Sequence, residues 1–173
     1  GSYDKIAIHD CYVAFRKDWQ HDQNESSRIK VSDQDMTRIK TYLSEEFRRV
    51  FTDRLTASGE TVTTAAGTGV LMVRPAIINL DVSAPDRSDP PPRGIYSSES
   101  AGQATLYLEL YDSVTGQLLA RAIDIEVAGA RGYISVRNGA TNRTDAEIML
   151  KKWADLLGTF LQHARASTAG SAP

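Results

Sequence analysis

Histidine, cysteine and paired carboxylates are the side chains that most often hold metals or move protons, so their spacing is the first thing to read. The three histidines, His9, His21 and His163, stand far apart on different segments, and none has a second ligand at metal-binding spacing. Cys11, the single cysteine, lies inside an apolar run. A reactive thiolate needs an electropositive, partly exposed setting, so Cys11 reads as a buried, inert thiol. A lone cysteine also rules out an internal disulfide framework and a Cys-rich zinc site. The acidic pairs Asp33/Asp35 and Asp145/Glu147 belong to helix starts, and Asp86/Asp89 lacks the ligand ladder of a calcium loop. No nucleophile elbow, zincin helix or Walker loop occurs. Gly67-Thr68-Gly69 precedes a strand instead of following one, the wrong context for a phosphate cradle. The expectation is a protein with no catalytic residues, no metal and no cofactor.

What remains is a set of residue types that anchor interfaces: Trp19, Arg93, Tyr96, Arg131, Tyr133 and Arg137. These are the candidate binding residues. The competing reading is that Trp19 and Tyr133 tuck loops onto the domain edge and the arginines are solvated. Arg74 and Arg121 interrupt apolar strand faces, where they either pair with acids or snorkel to the rim.

The elements that must position these residues follow from periodicity. Lys5 to Phe15 reads as a first strand, apolar on both faces, and residues 16–31 as a polar connection. A helix then starts at the Ser32 cap, with Asp35 three residues on and Val31 placed to staple onto Met36. Met36, Ile39, Leu43, Phe47 and Val50 form its stripe, widened by Tyr42, Phe51 and Leu55, and Ser58-Gly59 ends it. Val70 to Val82 is the second strand, with an edge or bulge at Pro75, which has no N–H to donate. Ala104 to Asp112 and Leu118 to Val127 alternate as a hairpin closed by Ser113-Val114-Thr115-Gly116, a type I turn with a glycine bulge. Tyr133 to Arg137 is a candidate fifth strand. A second long helix runs from about Asp145 to Ala166, with Thr144 and Glu147 as a capping box. Met149, Leu150, Trp153, Leu157, Phe160 and Leu161 are its buried stripe.

The order is β-α-β-β-β-α. It implies an α+β two-layer sandwich: a mostly antiparallel sheet of four or five strands with two long helices on one face. The connections 16–31, 83–103 and 128–143 then leave from one end of the sheet, the first place to look for binding. Gly1-Ser2 reads as a tag remnant, 3–166 as one domain, and 167–173 as a disordered polar tail. The chain has 173 residues, 41% hydrophobic, with 20 Lys+Arg against 22 Asp+Glu and a formal charge of −2. That balance argues against the basic face of a nucleic-acid binder. No run of 18 apolar residues is present, so the sequence contains no helical membrane span.

The block from Val70 to Leu80, the hairpin Asp112-Ser113-Val114-Thr115-Gly116 with its strands, and Lys152-Trp153-Ala154 resemble domain of unknown function 3313, a family of predicted bacterial lipoproteins. The likeness spans roughly Tyr3 to Leu161. It implies export, a lipidated cysteine at the mature N-terminus that Cys11 does not supply, and a place on the periplasmic side of the cell envelope. The family brings no catalytic residues. The leading expectation is therefore a non-enzymatic envelope domain, an accessory or protein-interaction module with an envelope protein as partner. The alternative is a small-molecule or glycan-binding domain with its pocket where the loops meet between helix and sheet. Self-association through an exposed sheet edge or helix face is a third.

Overall fold

The structure is a computed structural model that describes residues 3–26, 30–82, 97–98, 102–127, 135–136 and 139–169. Along the chain run β1 (Lys5–Ile8), β2 (Tyr12–Phe15), α1 (Trp19–Ser26), α2 (Asp33–Ala57), β3 (Thr61–Thr63) and β4 (Val70–Val82). They are followed by β5 (Ser97–Ser98), β6 (Gly102–Asp112), β7 (Leu118–Val127), β8 (Ser135–Val136) and α3 (Gly139–Ala169). The main sheet has the order β3-β1-β4-β6-β7, with β2 also on β4. The α+β class is as expected. The first strand, split into β1 and β2, pairs parallel with β4, and β6 and β7 continue antiparallel, as the crossover rule and the meander imply; the sheet is larger than expected because β3 adds a further parallel strand on β1.

The expected first strand is broken at His9–Cys11, and Pro75 explains where. His9 donates its N–H to the Val73 carbonyl at 2.9 Å, so Val73 faces β1. Two residues on, the nitrogen of Pro75 faces the same side with no hydrogen to give. The parallel ladder stops at Ile8↔Val73 and resumes at Tyr12↔Ala76. The expected connection 16–31 contains α1, a correction to the two-helix count. Its residues are almost all polar and give no amphipathic signal; docking holds it instead. Trp19 is 1% exposed and stacks on Phe15 with ring centroids 4.3 Å apart. Gln20 donates to the Val31 carbonyl at 3.0 Å, and Asn24 accepts the Val31 N–H at 2.6 Å.

Ser32 and Asp35 form a full capping box: Asp35 donates its N–H to Ser32 Oγ at 3.1 Å and its carboxylate accepts the Ser32 N–H at 2.9 Å. The second box is not formed as predicted, because α3 already begins at Gly139 and Thr144 lies inside it. Glu147 pairs along and across the helices instead, with Lys151 at 2.9 Å and Arg49 at 3.5 Å. Phe160 is half-exposed, not buried with Met149, Leu150, Trp153, Leu157 and Leu161. It falls on the row Lys152–Leu156–Phe160 at the flank of α3, where the sheet runs out.

The core lies between the α2–α3 pair and one face of the sheet. Leu71, Val73 and Ile77 of β4 and Leu106, Leu108 and Leu110 of β6 meet Phe47, Phe51, Leu150 and Trp153 there. β7 departs from this pattern. Register places Ala120, Ala122, Asp124 and Glu126 on the helix side, opposite Leu110, Leu108, Leu106 and Ala104. Its large apolar residues Ile123, Ile125 and Val127 therefore face outward, and with Leu118 and Leu119 at a register slip beside Tyr111 they are exposed. At the hairpin turn Asp112 accepts the N–H groups of Val114 and Thr115 at 3.0 and 2.7 Å, and Gly116 takes φ 70° as the glycine bulge requires. The C-terminal ends of β2, β4 and β7 share one end of the sheet. There β5 pairs antiparallel with β8, joining two of the connections expected to gather.

Candidate functional site

A cavity of about 180 Å³ opens at that end, between the start of α2, the start of α3, the end of β4 and the start of β6. Its walls are mainly Ile39, Tyr42, Leu43, Leu80, Val82 and Met149, with Ala104 and Ala146 as small residues that leave room. Two backbone features shape it. Asn79 has φ 51° and the β4–β6 register slips between Ile78 and Asp81, which turns Leu80 toward the helices. Gly102, at φ 121°, passes so close to β4 that a Cβ would sit 2.1 Å from the Asp81 carbonyl oxygen. Only glycine fits there.

Charges on the lip are matched. Arg16 donates to Asp81 at 3.0 Å and to Asp22 at 2.8 Å. Lys152 holds Glu126 at 2.5 Å, and Arg38 is paired with the buried Asp35. The Arg143 guanidinium lies 5.3 Å over the Tyr42 ring. Burial, aided by the charge of Glu46, pushes the Tyr42 phenol above its ordinary range. With its carboxylates engaged, the interior can offer apolar contact, the Tyr42 ring and the amide side chains of Gln103 and Asn142. An empty apolar cavity of about 150 Å³ is enough to take up benzene, so this one has room for an aromatic ring or short alkyl chain.

A second polar constellation sits on the open face of the sheet. Glu109 accepts from Tyr111 at 2.6 Å, from Tyr107 at 3.2 Å and from Arg121 Nε at 2.9 Å. Arg121 also lies 5.3 Å over Tyr107, and Arg74 5.3 Å over Tyr111. Hydrogen bonds from Tyr111 and then Arg121 hold the Glu109 carboxyl below its usual range. This network accounts for both arginines that interrupt apolar strand faces: each covers an aromatic ring, and Arg121 is also paired with Glu109.

Of the candidate binding residues, Trp19 is buried beneath Phe15, its indole N–H has no hydrogen-bond partner among the described residues, and it does not line the cavity. Arg93, Tyr96, Arg131, Tyr133 and Arg137 lie outside the described residues. Among the described residues no group of His, Cys, Asp or Glu is arranged to hold a metal, and no helix is long and apolar enough to cross a membrane. Burial pushes the Cys11 thiol up to about 12. The alternative reading of the sequence places a pocket at this end, between helix and sheet; the residues that line it are not singled out there, because they belong to the same stripes as the core. The available signal was that Ile39 and Tyr42 lie on α2 ahead of the level at which the α3 stripe begins.

A two-layer α+β domain with a mixed sheet, an apolar cavity at its loop-rich end and a self-paired polar face defines the class. The chain belongs to the family described as Protein of unknown function (DUF3313), which matches residues 1–157. No curated protein matches it. Among solved structures, a minor lipoprotein from Acinetobacter baumannii is similar at 10% identity and TM-score 0.44, covering 94% of this chain and 95% of that one. The PelC dodecamer from Paraburkholderia phytofirmans is similar at 10% identity and TM-score 0.40, covering 86% and 84%. A homolog of neuraminyllactose-binding hemagglutinin from Helicobacter pylori is similar at 9% identity and TM-score 0.35, covering 92% and 88%.

Proposed function

We propose that this chain is a non-enzymatic binding domain of the bacterial cell envelope, anchored in its full-length form by an N-terminal lipid, that takes a small, largely apolar ligand at its loop-rich end. The cavity between α2, α3 and the sheet carries this reading, since it pairs apolar walls with a lip of matched charges. Membership of a family of predicted lipoproteins supports the envelope placement. The absence of a nucleophile beside a base in the sequence supports a binding role over a catalytic one.

The test is methyl NMR with toluene as the probe. A saturable shift confined to Met149, Leu80 and Ala104, abolished in Ala146→Phe, is the expected result. Shifts that do not saturate, or that scatter over the surface, overturn the reading.

A further inference from the structure

The two ends of the main sheet are unlike. At one, β3 is a three-residue strand, short enough to offer almost no template for pairing. At the other, β7 runs for ten residues, Leu118–Val127, with no proline, glycine or lysine, and its outer edge bonds to no strand among the described residues. Its outward face carries Ile123, Ile125 and Val127, 61%, 59% and 45% exposed.

The charges that would normally guard such an edge are already spent within the fold. Arg121 turns back to Glu109 at 2.6 Å, Asp124 accepts the Trp153 indole N–H at 2.7 Å, and Glu126 is held by Lys152. The helix layer is apolar at the same flank. Lys152 and Trp153 fix α3 beside β7, and one and two turns further along the Lys152 row stand Leu156 and Phe160, 54% and 50% exposed. Beneath them β7 presents only Ala120 and Ala122.

From this edge we infer that the chain self-associates as a two-fold dimer in which β7 pairs antiparallel with β7 of a second copy, extending the sheet across both. Antiparallel pairing about a perpendicular two-fold keeps outward residues opposite outward residues. An axis at Arg121 or Asp124 would set like charges face to face, and one at Ile125 would oppose Asp124 to Glu126. An axis at Ala122 avoids this but carries Val127 opposite the second copy's Gln117, past the end of its strand, whereas an axis at Ile123 avoids both. It places Leu119 opposite the second copy's Val127, Arg121 opposite its Ile125, and Asp124 opposite its Ala122. The Leu156–Phe160 rows then face each other over the alanines. A ten-residue edge is about 34 Å long. Across a sheet layer and a helix layer, together about 20 Å deep, it offers roughly 700 Å² per copy, near the 800 Å² of a standard interface.

Sedimentation equilibrium over 1 µM to 1 mM, with Ile123→Lys and Ile123→Cys, tests it. Ile123 is exposed, so neither change disturbs the core, and far-UV spectra check this. The expected result is a concentration-dependent dimer that Ile123→Lys shifts at least tenfold toward monomer. Opposed residues of such a pair are about 4.5–5.5 Å apart at Cα, within disulfide reach. Oxidised Ile123→Cys should therefore link two copies, while the buried Cys11 does not react. A wild-type chain that stays monomeric throughout overturns the inference. So does a dimer that survives Ile123→Lys, or one in which Ile123→Cys does not cross-link.

Discussion

Arg165→Ala should destabilise the domain far more than a surface arginine normally would. The Glu60 side chain is 1% exposed at the start of β3, and Arg165, near the end of α3, grips both of its oxygens at 2.7 and 2.5 Å. Arg165 Nε also donates to the Tyr3 carbonyl at 3.3 Å, and Tyr3 Oη donates to Asp112 at 3.0 Å. One guanidinium thus ties the last helix to the N-terminal strand and, through Tyr3, to the hairpin. Breaking a fully buried pair from one side costs about 3–5 kcal/mol, because the orphaned charge stays behind. An exposed pair contributes at most about 1 kcal/mol. Arg165 is 41% exposed, so solvent screens part of the loss. The expected cost is about 2 kcal/mol, or about 4–8 °C in Tm for a domain of this size. Urea unfolding followed by tryptophan fluorescence reads it as a drop in midpoint at unchanged slope. Glu60→Gln in the same background should recover about 1 kcal/mol, because the amide needs no counter-charge. Arg165→Lys, which keeps the charge but not the fork, should fall between. A loss under about 0.5 kcal/mol for Arg165→Ala, or strict additivity in the double variant, refutes the reasoning.

Asp35→Ala removes the reciprocal half of the α2 cap and should cost about 1–2 kcal/mol in urea unfolding. Trp153→Phe keeps most of the packing but takes the indole donor from Asp124, for a loss of about 1–3 kcal/mol by thermal melting. Asp124→Asn should lose less, since its amide oxygen still accepts. Acid should weaken the fold through Glu109 and Asp112. Tyr111 and Arg121 hold the first below its ordinary 4.5, and the Thr115 backbone and hydroxyl hold the second below 3.8. The unfolded chain binds protons first, so their contribution is complete above those ordinary values. It declines as pH falls beneath them and is gone below the depressed folded values. Urea midpoints between pH 6 and pH 2 should fall with acid, and less steeply in Glu109→Gln.

The parts of this fold that were legible carry their signal locally. Ser32 with Asp35 marks the start of α2, Ser58-Gly59 its end, and Asp112 with Gly116 sets the hairpin. The parts that were not legible depend on partners distant in the chain. Lys5 to Phe15 is apolar throughout, so nothing in it marks the break at His9–Cys11; that break belongs to Pro75, across the sheet. Period-2 alternation put Leu119, Ile123, Ile125 and Val127 on one face of β7 but could not say which face is covered. Trp153 and Lys152 decide that, by drawing Asp124 and Glu126 inward. α1 is polar and is held by the burial of Trp19 and by the bonds of Gln20 and Asn24 to Val31, none of which shows as a periodicity. The cavity depends on a slipped register at Asn79 and a close approach at Gly102. Neither has a pattern before the strands are paired.

Pro75 matters before the chain has folded as well as after. From Val70 to Leu80 the sequence is rich in β-branched and aliphatic residues, the composition that stacks into cross-β aggregates when it is exposed on a nascent or unfolded chain. Arg74 and Pro75 divide it into Val70–Val73 and Ala76–Leu80, each shorter than the roughly six-residue segment a steric zipper needs. In the native sheet the missing N–H falls at the gap between β1 and β2. The imino acid therefore acts as a gatekeeper during synthesis without taking a bond from the finished ladder.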